Sequence, residues 1–226
     1  MRLKTMILWD VRSQMKYGIY FLYGILTVLY LGILYVMPAS WWQPAAVLLI
    51  LSDPGAMGLF FMGAIVLLEK SQRIPYAFAV SPVLAAEYIA AKAASLCFIT
   101  LIVAFVLAAA AGMEHLGLVA AGTAFCSVMF TLLGIITAAK IHSLNQFILW
   151  TVPVEAAAFA PAVLYLFGML PKGFQYYPVN LCLDMIAGNW PEPGGILILC
   201  LTMGVLFFLS GKSVSAMWKH AGGVSL

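Results

Sequence analysis

The sequence predicts an all-α integral membrane protein. Six transmembrane helices are expected, with an N-terminal interfacial helix, a cytoplasmic helix between spans two and three, and outer short helices before the last span. Three observations predict this. Of 226 residues, 65% are hydrophobic and only 8% charged, with a mean hydropathy of +1.06; a soluble domain carries about 25% charged residues. Six stretches approach the roughly 20 apolar residues that a helix needs to cross the hydrocarbon core. The basic residues fall almost entirely on one side of those stretches. No repeat or composition break divides the chain, so residues 1–226 read as a single transmembrane domain.

Residues 1–16 come first. Leu3, Ile7, Val11 and Met15 recur every fourth position, and Arg2, Arg12 and Lys16 can face lipid headgroups or a partner, so the segment reads as an interfacial helix. Lys4 and Trp9 interrupt that pattern, which leaves a plain basic tail as the other reading. The apolar run that follows is too long for a signal-peptide core and has no small-residue cleavage site after it. The spans are expected at 17–37, 44–68, 93–113, 117–138, 146–169 and 194–212. Tyr17, Tyr20, Trp41, Trp42, Trp150, Trp190 and Trp218 cluster near their ends, as interfacial anchors do. Small residues four apart (Ala104, Ala108 and Gly112; Gly117 and Ala121; Gly134 and Ala138) let spans three and four approach their neighbours closely.

The charges orient the chain. Arg2, Lys4, Arg12 and Lys16 precede the first span; Lys70, Arg73 and Lys92 lie between spans two and three; Lys140 lies between four and five; Lys212 and Lys219 follow six. Of the eleven basic residues, only Lys172 falls on the other side. The positive-inside rule then places both termini in the cytoplasm, which requires an even number of spans. The outer side has one long link, residues 170–193, rich in proline and aromatics. Asn180 is expected to cap a short helix there that Gly188 ends.

Residues 69–92 form a polar island. Glu69 and Arg73 stand at the favoured spacing and order for a helical ion pair. Pro75 disfavours helix at Ile74, so the second span should stop near Arg73. Ser81-Pro82 reads as an N-cap followed by proline at the first helical position, starting a helix that runs through Lys92 into span three. Glu87 and Lys92 are expected to project near the membrane surface, with Tyr76, Phe78 and Val80 forming an apolar knob in the bend.

Two acids lie inside spans. Asp53 directly precedes Pro54, and Glu155 follows Pro153 by two residues. An ionisable group at membrane depth costs at least about 2.5 kcal/mol, so it faces protein or a water-filled cavity, and a neighbouring proline loosens the helix. These four residues read either as a substrate path or hinge, or as structural acids satisfied by backbone and hydroxyl groups.

Other chemistry finds little support. Gly211-Lys212-Ser213 resembles the end of a phosphate loop, but Leu206 stands where that loop needs glycine. The four cysteines are scattered and the three histidines far apart, so no metal site is expected. The motifs of membrane proteases and hydrolases are absent. No catalytic residue and no cofactor bound by this chain is expected, nor is nucleic acid among its partners.

The layout resembles the permeases of type-2 ABC exporters. Those proteins have an N-terminal interfacial helix, six spans, a coupling helix between spans two and three, and short outer helices before span six. The pattern Glu69-Lys70-Ser71-Gln72-Arg73, then Ser81-Pro82, Glu87-Tyr88 and Lys92, is similar to theirs, as is the outer segment Pro178 to Trp190. The short length and Asp53-Pro54 look like the small antibiotic-export permeases, including those for fluoroquinolones. The resemblance implies one permease domain in the cytoplasmic membrane of a prokaryote, exporting an amphipathic drug, antibiotic or peptide. A separate ABC ATPase subunit would bind the ATP and Mg and dock on residues 69–92 and the N-terminal helix. A second permease chain, identical or related, would complete the path. Glu69, Arg73, Ser81, Pro82, Glu87 and Lys92 would serve coupling. The competing readings are a stand-alone secondary transporter or membrane immunity protein that uses Asp53 and Glu155 to bind protons or ions.

Overall fold

The computed structural model describes residues 2–53, 57–141 and 143–221. Ten α-helices carry the described chain: α1 (Arg2–Lys16), α2 (Ile19–Val36), α3 (Trp42–Ser52), α4 (Gly58–Ser71), α5 (Ile74–Ala79), α6 (Ala85–Ala110), α7 (Leu116–Lys140), α8 (Leu144–Leu166), α9 (Pro178–Ile186) and α10 (Pro193–Ala221). Five of them, α2, α6, α7, α8 and α10, are long and apolar enough to cross a membrane. The stretch expected as span two is carried by two shorter helices, α3 and α4, and Pro54 lies outside the described residues.

Helix α7 is the central post. It packs against α4, α6, α8, α9 and α10, and glycines set two of those contacts. A Cβ at Gly134 would stand 2.7 Å from the Leu59 carbonyl of α4, and one at Gly122 2.8 Å from the Cys182 carbonyl of α9. Gly134 was expected to allow close packing; Gly117, marked by the same spacing, has nothing within 4 Å of such a Cβ. By contrast α2, α8 and α10 are mostly exposed along their apolar windows, which leaves their outer faces to lipid or to another chain.

Lysine closes one helix end. The Lys70 ammonium on α4 donates to the carbonyls of Ala138, Ala139 and Ile141, each at 2.8 Å. The last carbonyls of α7 lack the regular helical donors, the Ala138 carbonyl taking only a long 3.3 Å bond from the Ile141 amide, and they carry the negative end of its dipole. One cation therefore satisfies three acceptors and fixes α4 against α7.

At the opposite end, α9 is enclosed by α3, α7, α8 and α10, and its residues from Val179 to Leu183 are all buried. Gly188 does end this segment, with φ 90. Asn180, however, is not its cap. Pro178 begins the helix, and the buried Asn180 amide donates to the Phe174 carbonyl at 2.8 Å. Burial pushes the carboxyl of Asp184 up from its ordinary value, while the Tyr165 hydroxyl donates to it at 3.1 Å and pulls the other way.

Candidate functional site

The polar island folds differently from its sequence pattern. Helix α4 stops at Ser71, and Arg73 takes a left-handed conformation (φ 60), which is uncommon for a residue with a side chain. Helix α5 starts immediately after it, with Pro75 in its first turn. Proline suits that position because the first amides of a helix have no internal acceptor. The proline expected to mark a stop thus opens a new short helix. Ser81 closes that helix rather than starting the next, its hydroxyl donating to the Phe78 carbonyl at 2.9 Å. Pro82 is exposed in the link, and α6 begins at Ala85. The cap comes from Glu87, whose carboxylate accepts from the Leu84 amide at 3.0 Å.

Glu69 does not use Arg73 as its partner. Its carboxylate takes the Lys92 ammonium at 2.6 Å and the Tyr88 hydroxyl at 2.6 Å, and Arg73 is exposed. Lys92 does not project to the surface either. It is 1% exposed, pairs also with Asp10 of α1 at 3.1 Å, and lies 4.7 Å above the Tyr88 ring centre. Helices α1, α4 and α6 therefore share one buried cation. Burial pushes the Asp10 carboxyl above its ordinary range; Lys92 pulls it down and the nearby Glu69 charge adds to the rise.

This network sets the orientation of α1. Its buried residues are Asp10 and Gln14, whereas Leu8, Trp9 and Met15 are exposed. Lys92 on α6 requires a carboxylate, and that requirement sets the rotation of the helix, leaving apolar residues of α1 on the side away from the bundle, where an interfacial helix meets lipid. Further bonds tie α1 and its flanks to the neighbouring elements. Arg2 donates to the Pro82 carbonyl at 3.2 Å, Gln14 to the Ser95 hydroxyl at 2.8 Å, and Gln72 to the Tyr17 hydroxyl at 3.0 Å.

Helix α5 is braced from behind by aromatic rings. Phe78 stacks on Trp218 of α10 at 5.5 Å and meets Tyr88 edge-on at 5.3 Å; Tyr88 meets Trp218 at 5.7 Å. Trp218, expected as an interfacial anchor, is 8% exposed. The outer side of the same segment stays open, with Tyr76, Val80 and Leu84 all more than half exposed. The site is thus a short helix with an apolar outer face, set on a platform that joins α1, α4, α6 and α10.

A family model for the fluoroquinolones export permease protein family matches residues 1–191. The chain belongs to this family. It is also similar to the fluoroquinolones export permease proteins of Mycobacterium tuberculosis strains CDC 1551 and H37Rv, at 30% identity over 151 residues in each case. That match covers 66% of this chain and 64% of the length of each relative. Membership agrees with a multi-pass membrane protein built of apolar helices.

The membrane-depth acids fall elsewhere. Asp53, at the end of α3, is 1% exposed, and neither of its oxygens has a hydrogen-bond partner among the described residues. The expectation that backbone or hydroxyl groups would satisfy it is not met. Glu155 is half-buried on α8, which continues through Pro153 and Pro161. No hydrogen bond or ion pair joins the two acids among the described residues. The sequence reading missed Asp10, Tyr88 and Trp218 as parts of the platform. Asp10, the sole acid in the sequence before Asp53, with Gln14 one turn further on, was the available signal.

Proposed function

We propose that the chain is the transmembrane permease subunit of an ATP-driven ABC exporter for an amphipathic drug or antibiotic. The observation that carries this reading is α5, a short helix with an apolar outer face and a rigid aromatic backing. A separate ATPase would receive that face and the flanking α1, and would bind the ATP and Mg. This chain would not itself be an enzyme. Load applied to α5 passes through Phe78 to Trp218 and α10, and through Tyr88 to Glu69, Lys92 and Asp10. Four helices would therefore move as one when paired ATPases close. On this reading α3 and α4 together make span two of six, and the one-sided basic residues support a cytoplasmic setting for α1, α5 and both termini in a prokaryotic cell. The exposed apolar faces of α2, α8 and α10 are available to lipid and a second permease chain.

Co-purification of this chain with an ABC ATPase subunit from the same cell tests the reading. Tyr76→Asp together with Val80→Asp should abolish recruitment while the permease stays folded, because a charge enters an apolar contact but not the core. Undiminished recruitment would refute the docking face. The unpartnered Asp53 carboxylate favours a second reading, a secondary transporter driven by ions. Transport in vesicles that depends on a proton gradient and not on ATP would establish it.

A further inference from the structure

Asp53 is a buried acid with no described counter-ion, and its surroundings suit a positive ligand. Helix α2 presents Tyr20, Tyr23 and Tyr30 on one face. Tyr23 is wholly buried and Tyr30 is 9% exposed. Tyr23 and Tyr30 lie within electrostatic reach of Asp53, and Tyr20 within reach of Tyr23. The buried hydroxyls of Tyr20 and Tyr23 also have no partner among the described residues. The Tyr23 ring meets Phe61 of α4 with centres 5.3 Å apart. Unused acceptors on a carboxylate and two phenols, walled by aromatic rings, are what an organic ammonium group needs. The acid takes the charge, phenol oxygens accept N–H, and ring faces attract the cation. Burial without such a ligand leaves the charge uncompensated in a medium of low dielectric.

We propose that Asp53, Tyr23 and Tyr30 form the seat for the protonated amine of an amphipathic cargo, with Tyr20 and Phe61 beside Tyr23 at its edge. This rests on the export reading and names the chemistry of the cargo group that the path selects. The seat is shut from solvent in this conformation, as an occluded transport site must be, and separation of α2 from α3 would admit the ligand.

The test uses the full chain in lipid nanodiscs and the fluorescence anisotropy of two probes. Norfloxacin carries a protonated piperazine amine; N-acetylnorfloxacin keeps the ring system and loses that charge. The wild type should bind norfloxacin roughly tenfold tighter, the scale of one charge-assisted hydrogen bond. Asp53→Asn should erase this preference and leave the affinity for N-acetylnorfloxacin unchanged. Tyr23→Phe keeps the ring and should lose a few-fold of the same preference, so it carries the test if the Asp53 variant does not fold. Equal affinities in the wild type, binding of neither probe, or a preference that survives both replacements would overturn the proposal. None of these results touches docking at α5. Failure of the export reading would appear instead as a persistent amine preference in a chain that recruits no ATPase.

Discussion

Lys92 and Asp53 mark two places where this apolar bundle buries charge, and they are built in opposite ways. Around Lys92, two carboxylates and a tyrosine hydroxyl surround one ammonium group, and each contact crosses between helices or between turns of the same platform. Around Asp53, the carboxylate has no described partner, and the buried Tyr23 hydroxyl within its reach is equally unused. The first arrangement fixes α1, α4 and α6 in register. The second leaves polar capacity open where helix α3 ends. On the reading proposed above, the difference separates a mechanical part from a binding part, and each is vulnerable to a different substitution.

Lys92→Met should have the largest effect. Removing the cation leaves Asp10 and Glu69 buried beside each other without compensation, at a cost of about 3–5 kcal/mol. The measurement is thermal unfolding in detergent, with protease sensitivity of α1 as a local readout. An unchanged midpoint would show that α1 is not held by this pair. Lys70→Met comes next. It leaves three carbonyls at the end of α7 without their donor, and a loss of about 1–2 kcal/mol is expected in the same unfolding assay.

Asp53→Asn sharpens the contrast because stability should hold or rise. The substitution removes an uncompensated buried charge rather than half of a pair. A large loss of folded protein would mean that Asp53 is a structural acid after all. The smallest effect belongs to Asp10. Its carboxyl is raised from the ordinary 3.8, chiefly by burial. An acid whose folded value lies above its unfolded value contributes stability at pH below the unfolded value and loses that contribution as pH rises through the folded one. Asp10→Asn should therefore flatten the fall in stability as pH rises above the ordinary aspartate range. It should also cost less than Glu69→Gln, since Glu69 makes the shorter contact to Lys92 and also holds Tyr88.

Much of the bundle was legible because hydropathy and length act over whole helices. The five long helices, the N-terminal helix and the outer helix α9 all lie where the apolar runs and charge breaks put them. The island between α4 and α6 was legible as a site but not in its geometry. Pro75 permits a helix to start as readily as it forces one to stop, and the choice depends on Phe78 finding Trp218 across 140 residues. Lys92 looked like a surface lysine because its partners, Asp10 and Glu69, are distant in sequence. The face that α1 turns to the bundle was not legible for the same reason: its anchor, Asp10, finds Lys92 only in the folded chain. Asp53 stood out as an acid in an apolar run, yet its lack of a partner emerges only once α2 is packed against it.

The central claim is that α5 receives force from a separate ATPase. The most direct measurement is ATP hydrolysis by that ATPase reconstituted with this chain in liposomes, comparing the wild type with the Tyr76→Asp, Val80→Asp variant. The account predicts that the variant folds and melts like the wild type but neither retains the ATPase nor supports ATP-dependent drug transport. Normal recruitment and transport by that variant would contradict it.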